Sequence, residues 1–244
     1  MHHVVLERWS RGDSPLHRRD PRAKTIALLV FLVLIATSRG PFVLLGGIYF
    51  LLLIGVLAWA RLPVTAALLR STLVLPFSLV FAGISLLAGD AGRAAALLIK
   101  SYLSALTVLL VISTTPMPQL LRGLEALGVP QFLLMVAQFL YRYLFVISEE
   151  AQHMRAAGIA RGASVRGLVA HGTRFRSAAG ALAVLFARSY ARAGSIHQAM
   201  LARGFEGRFH LLGATRFRWR DAVFVLVAGA LPAAIRIGVE RAVR

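Results

Sequence analysis

Residues 42–60 read FVLLGGIYFLLLIGVLAWA, nineteen in a row without a charge. A helix needs roughly 20 mostly apolar residues to cross the ~30 Å of hydrocarbon in a bilayer, and this stretch supplies them. Working outward, comparable blocks lie at Thr25–Ser38, Thr72–Ala88, Leu97–Thr114, Phe132–Ile147 and Ala222–Val239. Hydrophobic residues make up 58% of the 244, and the mean hydropathy is +0.71. Soluble domains sit near 45–50% apolar, so the excess points to the membrane. The fold expected is an all-α integral membrane protein with about five transmembrane helices.

The spaces between blocks carry their own information. Ser38-Arg39-Gly40-Pro41 is too tight for anything except an antiparallel helix pair. The block before it is short, but can borrow Ala23 and the snorkelling stem of Lys24. Pro76 should kink the third span, which neighbouring helices tolerate. About 24 polar and charged residues precede the first block without a small-residue cleavage pattern, so no removable signal peptide is expected. The chain has no cysteine, which excludes a disulfide framework, thiolate metal sites and a catalytic thiol.

The net charge is +18, almost all from arginine, and the arginines cluster at residues 8–24 and 155–220. A basic soluble nucleic-acid binder would not carry such apolar blocks, so nucleic acid is not expected as a partner. Six Lys/Arg (Arg8, Arg11, Arg18, Arg19, Arg22, Lys24) place the N-terminus in the cytoplasm by the positive-inside rule. Four crossings return the chain to that side at about Thr114. Gln131, Gln138 and Arg142 interrupt the block at 132–147, and a central arginine costs about 2.5–3.5 kcal/mol on insertion. If that block crossed, the twelve arginines from Arg155 to Arg220 would face outside. It is therefore expected to lie along or below the membrane surface.

The resulting plan has a basic cytoplasmic segment (1–24), a four-helix membrane region (25–114), a cytoplasmic helical region (115–220) and a last span (221–244). Three helices are expected in the cytoplasmic region. Thr115-Pro116 opens the first, with a capping residue and proline at the first helical position; Leu120, Leu124 and Leu127 share a face, and Gly128-Val129-Pro130 stops it. The second runs from about Gln131 to Ala160. The third runs from about Ala178 to Ala202, with Leu182, Leu185, Ser189, Ala193, Ile196 and Met200 on one stripe and Arg188, Arg192 and Ser195 opposite.

Both long helices end in the same tripeptide, Ala160-Arg161-Gly162 and Ala202-Arg203-Gly204. Each is a helix C-terminus whose glycine can adopt the left-handed cap, with a cation at the negative end of the helix dipole. An arginine fork on the tip of a rigid rod suits a carboxylate on a partner. Arg-Gly is also a common way to end a helix, so spacing alone leaves docking and plain termination open.

Other stretches carry a resemblance: Ser14-Pro15-Leu16-His17, Asp20-Pro21-Arg22-Ala23-Lys24, Thr114-Thr115-Pro116, Tyr141-Arg142-Tyr143-Leu144-Phe145, Glu149-Glu150, Met154-Arg155, Arg188-Ser189-Tyr190 and Ala199-Met200-Leu201-Ala202-Arg203-Gly204-Phe205. In this order they resemble the transmembrane T component (EcfT) of energy-coupling-factor ABC importers, and more narrowly the CbiQ type of cobalt and nickel importers. The resemblance implies two long crossed coupling helices and one short helix in the cytoplasmic region. It implies that Arg161 and Arg203 dock in grooves of two ATP-binding-cassette ATPase subunits. It also implies a membrane substrate-binding (S) subunit and a small accessory membrane subunit as partners, all in the cell inner membrane. Arg19 departs from the pattern, since an apolar residue is expected before Asp-Pro-Arg.

No Gly-x-x-x-x-Gly-Lys-Ser/Thr loop occurs, so the chain cannot cradle nucleotide phosphates itself, and any ATP must be hydrolysed by another polypeptide. Glu149, Glu150 and His153 have spacings a metal site could use, but no second ligand set accompanies them. His2, His3, His17, His171, His197 and His210 are scattered over polar segments, and no metal site or cofactor is expected. Asp13 and Asp20 read as local ion pairs or helix caps, and Lys100 and Arg236 as snorkelling or interface contacts. The alternatives are a T component of a vitamin importer with a shared ATPase, a membrane-embedded hydrolase using Glu149, Glu150 and His153, and a basic membrane-surface scaffold.

Overall fold

The computed structural model describes residues 9–10, 12–38, 42–162, 171–207 and 218–242, with the side chains of 171–174 left aside. The turn at 39–41, His2, His3, His210 and the side chain of His171 thus lie outside what is described. All regular structure among the described residues is helical. Two compact units emerge: Met1–Val129 together with Thr215–Arg244, and Pro130–Ala214.

The first unit contains α1 (Pro21–Thr37), α2 (Phe42–Trp59), α3 (Val64–Ser71), α4 (Leu75–Leu87), α5 (Ala91–Thr114), α6 (Met117–Ala126) and α9 (Trp219–Ala242). Its hub is α5, which packs against α1, α2, α3 and α4, while α1 also packs against α6 and α9. Leu45, Tyr49, Leu53 and Leu57 repeat every four residues and turn one face of α2 into this core, where Leu103, Leu106 and Leu110 of α5 meet them. Buried Tyr49 donates to the Pro232 carbonyl of α9 at 3.0 Å, and its ring lies 5.3 Å from that of Phe31 on α1. A Cβ on Gly46 would come within 2.5 Å of Ile99 Cγ2, so glycine lets α2 and α5 approach closely.

The third span is longer than the sequence indicates, and its α-helical run is interrupted beside Pro76, where a kink is expected. It runs from Val64 to Leu87, with a 3₁₀ turn at Thr72–Val74 directly before Pro76. Pro76 has no N–H, and its ring crowds the Thr72 carbonyl, so the chain tightens at that point. The start at Val64 escaped the hydropathy pattern because Thr65 and Arg70 dilute it.

Antiparallel α1 and α5 exchange lysines at their ends. Lys24 is 2% exposed and donates to the Thr114 carbonyl (2.8 Å) and Thr115 Oγ1 (3.2 Å) at the end of α5, and to the His17 carbonyl (3.2 Å). In return Lys100 of α5 donates to the carbonyls of Ala36 (3.0 Å) and Ser38 (2.8 Å) at the end of α1. Arg236 of α9 adds bonds to Thr37 Oγ1 and the Thr37 carbonyl. These groups satisfy helix-end carbonyls that have no partner within their own helix. Lys24 therefore does not snorkel, whereas Lys100 and Arg236 make the interface contacts expected of them. Thr115, expected to cap α6, instead receives Lys24, and Pro116 stands at the cap position without a side-chain bond.

Asp20 caps α1, accepting from Arg22 N at 2.9 Å, and Asp90 caps α5 through Arg93 N at 2.8 Å. Asp13 pairs with Arg18 at 3.8 Å on an exposed surface. Arg19 has a local explanation: it donates to the Arg220 carbonyl, sits 3.9 Å from Asp221 and lies 5.9 Å from the Phe224 ring centroid.

Among the described residues, five helices are long and apolar enough to span a membrane: Phe42–Trp59, Val64–Leu87, Ala91–Thr114, Gln131–Ala160 and Trp219–Ala242. This set agrees with the expected number but differs in membership. The 17 residues of α1 reach only about 25 Å. Gln131–Ala160 qualifies because its first turns carry a single charge, Arg142.

Candidate functional site

The second unit is built on α7 (Gln131–Ala160) and α8 (His171–Ala202), rods of 30 and 32 residues, about 45 and 48 Å long. They touch over a short stretch, as crossing helices do. An ion pair between Glu150 of α7 and Arg188 of α8 marks the contact. On α8 the half-buried residues are Leu185, Ser189, Ile196 and Met200, four members of the expected stripe, with Arg188, Arg192 and Ser195 more exposed. Leu182 and Ala193, placed on that stripe by periodicity, are exposed.

Each rod ends at one of the two Ala-Arg-Gly sequences. Ala160 is the last residue of α7, and Arg161 follows with φ −89° and ψ 11°. Gly162 then turns left-handed at φ +82°, its N–H donating to the Ile159 carbonyl at 3.0 Å. Ala202 ends α8 in the same way: Gly204 has φ +76° and donates to the Leu201 carbonyl at 3.0 Å, and Phe205 N reaches the Met200 carbonyl at 3.1 Å. That pair of bonds is the Schellman arrangement. A Cβ in this backbone region costs roughly 1–2 kcal/mol, so both glycines are held by geometry.

The caps leave Arg161 and Arg203 exposed, without an ion pair or side-chain hydrogen bond among the described residues. Measured from the Glu150–Arg188 contact, the α7 tip lies about 15 Å further along its rod and the α8 tip about 21 Å along its own. Among the described residues, each tip is thus an exposed cation on a stiff support. A planar guanidinium so placed has the chemistry to meet a carboxylate.

The other candidates do not converge. Glu150 is engaged by Arg188, while Glu149 and His153 lie 3.9 Å apart with both side chains about three-quarters exposed. No group of three or more His, Cys, Asp or Glu residues is placed to hold a metal among the described residues. His17 is turned inward, its ring nitrogens on Ser14 Oγ (2.6 Å) and the Trp9 carbonyl (2.9 Å). Sequence reasoning missed Asp221. It is 6% exposed and accepts from the backbone N–H groups of Asp20 and Arg218, tying α9 to the start of α1. A lone aspartate inside an arginine run gave no periodic signal.

Comparison with known proteins places these features in context. The family model described as cobalt transport protein CbiQ matches residues 12–211. A cobalt transport protein CbiQ of Rhodobacter capsulatus is 32% identical over 152 residues, covering 61% of this chain and 57% of that protein. The energy-coupling factor transporter transmembrane protein EcfT of Bacillus selenitireducens is 27% identical over 268 residues, covering 94% of this chain and 96% of its own length. The protein of the same name from Bacillus subtilis is 28% identical, covering 92% and 91%.

Proposed function

The chain belongs to the cobalt transport protein CbiQ family, and from that membership we propose that it is the transmembrane coupling subunit of an energy-coupling-factor ABC importer for cobalt or nickel ions. The observation that carries this reading is the pair of exposed arginines, Arg161 and Arg203, unpaired among the described residues and each followed by a left-handed glycine at the end of a long rod. Two tips of one chemistry on one unit suit two copies of one partner.

In this mechanism each arginine sits in an acidic groove of one ATPase subunit. ATP binding draws the two ATPase subunits together, and the tips follow. Because the rods share the Glu150–Arg188 contact, movement of the tips rotates the rods about it and passes to the membrane helices. A substrate-binding membrane subunit held against them reorients and releases its ion. ATP hydrolysis belongs to the ATPase partners, and the substrate-binding and accessory subunits complete the complex.

The orientation follows from charge. With α7 off the membrane axis, the arginine-rich second unit and the N-terminal segment lie on the cytoplasmic side of the inner membrane. The charged half of α7 supports this, since Arg142, Glu149, Glu150 and Arg155 would otherwise fall within or beside the hydrocarbon.

Separating a desolvated arginine from its carboxylate costs about 3–5 kcal/mol. Arg161→Glu combined with Arg203→Glu is expected to abolish co-purification of the ATPase subunits while the chain still inserts in the membrane. Undiminished recovery of the complex from the double variant would overturn the docking role.

One observation favours a second cargo. The relatives aligned over most of their length carry the general EcfT name, while the CbiQ relative aligns over 61% of this chain. A vitamin importer with a shared ATPase is that reading, and uptake of labelled cobalt and nickel by cells expressing the complex separates the two.

A further inference from the structure

Between α1, α2, α5 and α9, wholly inside the first unit, lies an apolar slot of about 280 Å³. Each helix contributes an interval of similar length: Lys24–Phe31, Leu52–Trp59, Thr107–Thr114 and Phe224–Pro232. At 1.5 Å per residue these intervals run about 10–12 Å along the helices, so the centre of a water-sized sphere has a mean cross-section of about 25 Å² to move in, and with the sphere's own ~1.4 Å radius added the slot is about 8 Å wide. An α-helix with side chains is 10–12 Å across. The slot is narrower than a partner helix and has the long, thin form of a hydrocarbon chain.

Its walls offer nothing to water. Three of the polar side chains that line it are already committed: Lys24 Nζ to the end of α5, Thr107 Oγ1 to the Leu103 carbonyl (2.7 Å) and Thr114 Oγ1 to the Leu110 carbonyl (2.9 Å), while Trp59 is half exposed. Apolar space of this kind does not hold ordered water and accepts apolar ligands. One end is marked chemically. Lys24 meets Thr114 there, Asp221 meets Asp20, and the guanidinium of Arg19 lies over the ring of Phe224, a lining residue. Around that end the segments 19–24 and 218–221 hold five cations (Arg19, Arg22, Lys24, Arg218, Arg220) against two carboxylates (Asp20, Asp221).

We propose that the slot holds one acyl chain of an anionic phospholipid, drawn from the leaflet at the Arg19 end, with its phosphate beside Arg19. The lipid fills a dry void at the junction of four helices and so becomes part of the unit's packing. The inference does not depend on the coupling mechanism or on the cargo.

The test uses the full-length chain in nanodiscs of equal phosphatidylglycerol and phosphatidylcholine, released into mild detergent and weighed by native mass spectrometry. One phosphatidylglycerol per chain is expected to remain. Ala228→Phe fills the slot from α9 and Ala27→Phe fills it from α1, and each is expected to abolish retention. Arg19→Gln is expected to keep a lipid but lower the preference for phosphatidylglycerol about fivefold, the effect of one basic residue beside an anionic lipid. A wild-type chain that carries no lipid overturns the proposal, as does retention undiminished in both filled variants. Equal retention of the two lipids by the wild-type chain overturns the anionic assignment.

Discussion

At the residue scale, the two glycines behind the arginine tips do the shaping. Gly162 and Gly204 stand at φ +82° and +76°, where an L side chain is strained, so each helix ends at the arginine that precedes the glycine. Gly204→Ala is expected to destabilise the end of α8 by about 1 kcal/mol. Faster amide hydrogen exchange at Met200–Phe205 in the intact chain is the measurement, and unchanged exchange would mean the cap is not stressed. These caps were legible in the sequence because a helix pattern followed by Arg-Gly has few ways to end. The roles of Lys24 and Asp221 were not, because each bonds to groups some 90 or 200 residues away, and no local pattern encodes such pairings.

At the element scale, the lysine exchange between α1 and α5 fixes how far one helix can slide past the other. Lys24 and the carbonyl of Ala36 are twelve residues apart on α1, about 18 Å, so the two contacts sit at opposite ends of the pair. Lys24→Met is expected to cost about 1–3 kcal/mol, since it leaves buried acceptors without their donor, and Lys100→Met about 1 kcal/mol, since its acceptors are exposed or half-buried. At that separation the costs should add. Reversible unfolding of the single and double variants in mixed micelles checks both statements, and a double variant no worse than either single one would refute independent clasps. The membrane helices were readable from hydropathy, and so was a break in the α-helical run beside Pro76. The boundaries were not: α3 begins eight residues before the apolar block because tertiary packing, not composition, holds Val64–Ser71 helical.

At the scale of the whole molecule, the cysteine-free sequence allows the side of each unit to be read directly. Ala91→Cys, at the exposed start of α5, is expected to react with an impermeant maleimide added to intact cells. Ser195→Cys, exposed on α8, is expected to react only after the membrane is opened. The reverse pattern would place the arginine tips away from ATP and sink the coupling mechanism. The number of spans followed from composition, and their identity did not. A 17-residue helix carrying a buried lysine and a 30-residue helix carrying a late run of charges stand on either side of any hydropathy threshold. Only their surroundings separate them.

The buried amine of Lys24 also sets an order of assembly. Its acceptors at Thr114 and Thr115 leave the ribosome about 90 residues after it, roughly 5–18 s at ordinary rates of synthesis. Through that interval the base of α1 has a charge with no acceptor from α5, and the short helix cannot settle at its final depth. Although α1 is made well before α5, it is therefore expected to reach its final depth only once α5 has arrived.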